Sequence, residues 1–389
     1  MNLDQFTANW NYPTSVRSGI GRIHELADAS KELGIKSPLL VTDPGLASLS
    51  PVKKAFQICQ NADLNCKLFT DIKGNPNEQN VADGVAAFKN GQHDGVIALG
   101  GGSALDAAKA IALMVGQNRP IWDFEDVGDN WLRVNAGGIA PIIAVPTTAG
   151  TGSEVGRASV ITDEENHVKK IIFHPKMLPQ IVILDAELTT GLPARITAAT
   201  GMDALSHNLE AYCSPFYHPM AQGIAIEGIR LVKEFLPKAV SDGADLEARS
   251  QMIVASSMGA TAFQKGLGGM HALAHPLGAL YDAHHGLLNA ILMPYVLKAN
   301  RVAIEGRIVR LANYLQLEDN TFDGFMKWVI ELRETVSIPH SLSDIGIDTA
   351  HAEKVAVMAT EDPSAGSNPI SFSAKQYATI FTQAVNGHL

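Results

Sequence analysis

The chain has 389 residues, enough for two domains with separate cores, and at 46% hydrophobic and 18% charged its composition is that of a folded globular protein. Its formal net charge is −10, and its Lys and Arg residues gather into nothing longer than pairs such as Lys53-Lys54 and Lys169-Lys170, which argues against nucleic acid or an anionic membrane as partner. Three cysteines, Cys59, Cys66 and Cys213, form no C-x-x-C pattern and are odd in number, so a reducing cytoplasm is expected rather than a disulfide framework.

In chain order, apolar runs predict strands at 37–41, 66–70, 94–99 and 141–145, with helices between them at 51–59, 77–90 and 104–115. Such alternation indicates βαβ units and a parallel, Rossmann-like sheet. After Thr147 the spacing predicts short strands at 158–162, 168–174 and 181–185, the first two a hairpin around Glu164-Glu165-Asn166. From Pro193 onward the period becomes helical, at 194–212, 219–240, 246–264, 286–300, 305–315, 322–336 and 350–359. The expected organisation is an α/β domain over 1–189 followed by an all-α domain over 190–389. The first residues lack the basic start and apolar run of a signal peptide, and no apolar segment is expected to reach the roughly 18 residues that cross a membrane.

Two loops have the composition of anion cradles. The run 94–99 passes straight into Gly100-Gly101-Gly102-Ser103 and then a helix, so exposed N–H groups and the helix dipole favour an anion there. The spacing is neither G-x-G-x-x-G nor a Walker loop, and Ser103 with Asp106 also fits a capping box. A second run opens onto Pro146-Thr147-Thr148-Ala149-Gly150-Thr151-Gly152-Ser153-Glu154, dense in hydroxyls and glycines. Together the loops suggest one ligand with phosphate and ribose groups across two strand ends. Asp43, after the first well-formed strand, is placed either to accept from ribose hydroxyls or to close a Thr-Asp-Pro-Gly turn.

Metal chemistry is suggested further on. Asp203 and His207 lie four apart in a helical segment, and so share one face. Downstream, His271, His275, His284 and His285 fall within fifteen residues, a density hard to ascribe to core packing. By spacing, His271 with His275 repeats the i, i+4 geometry; no Glu follows His271, so the zinc-protease pattern fails. Histidines with one carboxylate suit a divalent ion such as Fe²⁺ or Zn²⁺.

Four ordered motifs, GGGSALDAAKA (100–110), PTTAGTGSE (146–154), ATGMDALSHNLEAY (199–212) and MHALAHPLGALYDAHHG (270–286), resemble those of the iron-containing (group III) alcohol dehydrogenases over essentially the full length. The resemblance implies a dinucleotide-binding α/β domain and an all-α metal-binding domain in a dehydroquinate-synthase-like architecture. It also implies reversible hydride transfer between a primary alcohol or aldehyde and NAD(H), with one divalent metal, Fe²⁺ or alternatively Zn²⁺. Carried over by position, the ligands are Asp203, His207, His271 and His285, and His275 becomes a non-ligand that relays a proton. The NAD pyrophosphate falls on Gly101, Gly102 and Ser103, with Thr147, Thr148 and Thr151 on the nicotinamide side and Asn75 and Lys169 nearby. Asp43 stands where an acidic residue favours NAD over NADP. Two departures matter: His284-His285-Gly286 replaces the family's Pro-His-Gly, and Asn75-Pro76-Asn77 replaces Asn-Pro-Thr. The resemblance further implies a homodimer or larger homo-oligomer. A polyol dehydrogenase, a dehydroquinate-synthase-like lyase and a non-catalytic NAD-binding assembly protein are the alternative readings.

Overall fold

Short β-branched runs bounded by glycine, proline and aspartate build the first half of the fold. The computed structural model describes residues 14–166 and 168–389. They divide into two units, residues 14–191 and Leu192–Leu389.

The first unit runs β1 (Ser15–Ser18), α1 (Leu26–Glu32), β2 (Pro38–Val41), α2 (Ser50–Asn61), β3 (Lys67–Phe69), α3 (Glu78–Asn90), β4 (Gly95–Gly100), α4 (Gly102–Met114), β5 (Ile142–Pro146), β6 (Ala158–Asp163), β7 (Val168–Phe173) and β8 (Ile181–Leu184). Six strands form one sheet in the order β1-β8-β5-β4-β2-β3, every adjacent pair parallel. β2, β4, β5 and β8 are buried at every residue, as expected of a parallel sheet covered on both faces. Beyond β2 the chain goes to β3 on one side and then to β4 on the other. Chain order thus reverses between β2 and β4, and ligands of open α/β sheets bind outside the strand ends at such a point. β6 and β7 form a separate antiparallel hairpin.

The second unit is helical: α5 (Ala194–Cys213), α6 (Pro219–Ser241), α7 (Leu246–Ala262), α8 (Gly269–Tyr281), α9 (His285–Tyr314), α10 (Phe322–Thr335), α11 (Ala352–Glu361) and α12 (Ala374–Asn386). α5 is its centre, buried at every residue from Thr197 to Cys213 and packed against α6, α7 and α9. A helix buried all round has no solvent face, so its polar residues must be paired or functional.

The sequence reading missed several elements. β1 is a polar, largely exposed edge strand with no apolar signature. α8 contains Pro276, Gly269 and Gly278, residues that read as breakers but lie inside a buried helix. The separate helices expected at 286–300 and 305–315 are one 30-residue helix, α9, continuous through Pro294. α9 also corrects the statement that no segment reaches membrane-spanning length. It has the length and, at 1.2, the mean hydropathy, but 67% of that window is buried inside the protein, as in a core helix.

Candidate metal centre and cofactor loops

Asp203 and His207 project from one face of α5, His271 from α8, and His285 from the first residue of α9. Their ligand atoms all lie within 4.8 Å of one another. His285 Nε2 is 3.8 Å from Asp203 Oδ1. The rings are ordered by stacking: His207 lies on His271 at 4.8 Å between centroids, and Phe263 meets His207 edge-on at 5.2 Å. Gly286 permits the close approach, since a Cβ there would stand 2.6 Å from the Ala199 carbonyl oxygen and 3.0 Å from Asp203 Cβ. Only glycine lets α9 begin this near to α5.

The donor set fits a divalent cation. One carboxylate and three imidazoles converge, three of the four residues are buried, and no cysteine is among them. His271 Nδ1 donates to Glu210 Oε2 at 2.7 Å, which fixes the tautomer and frees Nε2 as an acceptor of metal or proton. Glu210 is itself held by the backbone N–H groups of Gly268 and Met270, at 2.8 and 2.7 Å. Burial pulls the His271 pKa down, but Glu210, with Asp203 and Asp362, outweighs burial and leaves it raised.

His275 stands outside the four-residue group. The i, i+4 pairing of His271 with His275 therefore gives way to His271 with His285. The physical reason is that His275 lies one turn further along α8, where its ring stacks on that of His285 at 5.3 Å between centroids. Its Nδ1 donates to Asp362 Oδ2 at 2.7 Å. Burial raises the Asp362 carboxyl, yet His275 and the donors of Ser364 more than offset this and hold it below the usual carboxylate range. His284 caps α9, its Nδ1 accepting from Leu287 N at 3.3 Å, and is not among the four residues whose ligand atoms converge.

In the α/β unit, Gly100, Pro146 and Asp43 come together at the C-terminal edge of three adjacent parallel strands. Gly100 has φ +151°, and its carbonyl accepts from Thr147 N at 2.9 Å, tying the two loops. They interlock closely: a Cβ on Gly102 would lie 2.5 Å from Thr151 Cγ2, and one on Gly101 3.4 Å from Thr148 Cγ2. α4 begins here with Gly101 as its N-cap and no side-chain cap, so the capping-box reading of Ser103 and Asp106 is not realised. Ser103 Oγ donates instead to Gly74 O, and Asp106 accepts from Ser153 Oγ and from Val160 N at 2.9 Å. Asp43 Oδ1 closes its turn by accepting from Leu46 N at 3.0 Å, while Oδ2 faces Gly100. Lys169 Nζ donates to Asn75 Oδ1 at 2.9 Å, so these two residues also meet.

Three residues of the metal centre went unread in the sequence. Glu210 continues the α5 stripe at 203, 207 and 210, a signal that was present. Asn289 repeats the i, i+4 step from His285 on α9, while Asp362 lies 87 residues from His275 and has no local signal.

An α/β unit with loops suited to phosphate and a helical unit with a buried His/Asp group define a cofactor-dependent oxidoreductase architecture. The sequence model of the family described as iron-containing alcohol dehydrogenase matches residues 13–186, and that of the family's C-terminal region matches 197–385. The chain belongs to the iron-containing alcohol dehydrogenases, and it is an oxidoreductase acting on alcohols. It is 36% identical to the 4-hydroxybutyrate dehydrogenase of Cupriavidus necator, over 96% of this chain and 99% of that one. It is 34% identical to the NAD-dependent methanol dehydrogenase of Bacillus methanolicus, over 97% of this chain and 100% of that one. Among solved structures, a 1,3-propanediol oxidoreductase superposes with a TM-score of 0.93 at 35% identity, covering 97% of this chain and 100% of that one.

Proposed function

We propose that the protein interconverts a primary alcohol and its aldehyde with NAD(H), using a divalent ion, Fe²⁺, held by Asp203, His207, His271 and His285. The convergence of those four ligand atoms within 4.8 Å carries the reading. Three relatives named for methanol, 4-hydroxybutyrate and 1,3-propanediol act on compounds that carry a primary hydroxyl, which supports the substrate class. The methanol dehydrogenase is named as NAD-dependent, which supports the cofactor.

When bound, the ion supplies Lewis acidity that lowers the pKa of the alcohol hydroxyl, and NAD⁺ supplies the hydride acceptor. The chain's own residues do the rest. Glu210 holds the proton of His271 on Nδ1 and keeps its Nε2 lone pair available. Asp362 holds the proton of His275 on Nδ1, leaving Nε2 to accept the alcohol proton and pass it to water. The backbone N–H groups of Gly101, Gly102 and Ser103, at the N-terminus of α4, receive the pyrophosphate. Ser103 contributes through its backbone, because its hydroxyl already bonds Gly74 O. Thr147, Thr148 and Thr151, with Asn75 and Lys169, line the nicotinamide side. Asp43 Oδ2 accepts from ribose hydroxyls and repels a 2′-phosphate, which favours NAD over NADP.

Three free, buried cysteines support a cytoplasmic location for the enzyme. It works as a homodimer or larger homo-oligomer; exposed Phe216 and Tyr217, just ahead of α6, and Met220 in its first turn offer apolar surface for assembly. The test is NADH formation by purified protein, reconstituted with Fe²⁺ or left metal-free, across methanol, diols and ω-hydroxy acids. Metal-dependent NADH formation with at least one primary alcohol is expected; equal rates in the metal-free protein would refute the reading.

A further inference from the structure

Lys265 is only 2% exposed, although lysine is among the residue types least often buried. It ends the short 3₁₀ turn Phe263–Lys265, in the stretch that leads from α7 to His271 on α8. Its Nζ donates to the carbonyl oxygens of Ala211 at 2.9 Å, Tyr212 at 3.1 Å and Ser214 at 2.7 Å. These carbonyls stand at the C-terminal end of α5, where a helix runs out of its own donors and its dipole is negative. An ammonium carries three hydrogens, so donor and acceptors match in number. The tie is also returned, since Ser214 Oγ donates to the Lys265 carbonyl at 2.8 Å.

Burial, together with the nearby Arg307, pulls the Lys265 pKa down to about 7, so an apolar side chain of the same length would fill this place at less cost. What the amine adds is direction. Glu210, in the last turn of α5, already holds the N–H groups of Gly268 and Met270. Lys265 and Glu210 thus grip one loop at its two ends, and the loop cannot slide along α5 while both hold. A slip of one residue would turn His271 by about 100° around α8, away from Asp203 and His207. Phe263, at the other end of the same 3₁₀ turn, meets the His207 ring edge-on, so the turn bears on a second ligand as well. We propose that Lys265 is a positioning residue of the metal centre, whose amine ties the loop entering α8 to the end of α5 and so sets where His271 stands against Asp203 and His207. The inference rests on the reading that Asp203, His207, His271 and His285 hold the ion. Arg307 offers an internal contrast: it donates to the carbonyls of Tyr212, Cys213 and Ser214, and so caps the same helix end from α9 rather than from the loop into α8.

Cobalt(II) binding in competition with a chelator tests both, because its visible absorption reports ligand geometry as well as occupancy. Wild-type protein is expected to bind one Co²⁺ per chain; failure to bind any would overturn the four-residue reading itself. Given wild-type binding, Lys265→Met should weaken Co²⁺ by about 10-fold or more and alter its visible spectrum, because His271 is then misplaced. Arg307→Met takes a cation from the same carbonyls and should lower thermal stability while leaving Co²⁺ affinity and spectrum as in wild type. Wild-type affinity and spectrum in Lys265→Met would overturn the proposal. So would equal weakening in the two variants, because that is the result expected if any cap on α5 serves. Ser214→Ala removes only the return hydrogen bond and should weaken Co²⁺ by about 3-fold. Unchanged affinity in Ser214→Ala would overturn the proposal even if Lys265→Met fails to fold.

Discussion

Glu210 shows how much of the metal centre depends on a residue that faces away from the ion's place. It collects three donors, two from the backbone entering α8 and one from His271, so the loop, the helix and the ring share one carboxylate. Replacing it with alanine should leave His271 free to turn and lower metal affinity by about 10- to 100-fold, read by equilibrium dialysis against a chelator. Unchanged affinity would mean that stacking on His207 alone holds the ring. The His275–Asp362 pair makes a different claim, about pH. Asp362 keeps its charge to lower pH in the folded chain than in the unfolded one. Its contribution to stability is therefore full above the unfolded carboxyl pKa, about 4, and is lost as pH falls through the lower folded value. The stability gap between wild type and Asp362→Asn should accordingly shrink as pH drops below about 4. Urea unfolding at a series of pH values reads it, and a gap that widens on acidification would reverse the assignment.

At the scale of elements, the centre draws on three helices, α5, α8 and α9, and it depends on the contact of α9 with α5. α9 starts against α5 only because position 286 has no side chain. Gly286→Ala forces a methyl against the Ala199 carbonyl, and should cost about 1–3 kcal/mol of stability and lower metal retention together. Thermal unfolding and metal analysis of the same preparation would check it; lost stability with full metal retention would separate the helix contact from the site. This contact also explains what could be read from sequence. The α5 pair Asp203–His207 was legible because both residues lie on one helix, where spacing dictates direction. His271 against His275 was not settled by spacing, since the choice depends on which face of α8 meets α5 and on where α9 begins. That is a tertiary fact, and the motif resemblance rather than the periodicity pointed to His285. α8 escaped notice for a related reason, as Pro276 and two glycines mask a helix that is stabilised by burial rather than propensity. The parallel sheet was the easier inference, because β2, β4, β5 and β8 are apolar at nearly every position.

For the whole molecule, the central claim is that catalysis depends on one ion held by the helical unit and on a dinucleotide held by the α/β unit. Family membership and the two matched regions establish the class. The assignment of individual ligands rests on the geometry of four residues drawn from three helices. The most direct test is metal content per chain, measured beside turnover, for wild type and for His207→Ala, His271→Ala, His285→Ala and His275→Ala. One divalent ion per chain is expected in wild type and its loss in the first three variants. His275→Ala should keep the ion while turnover falls by about 10²- to 10⁴-fold. Full metal occupancy in His285→Ala, or loss of the ion in His275→Ala, would contradict the account.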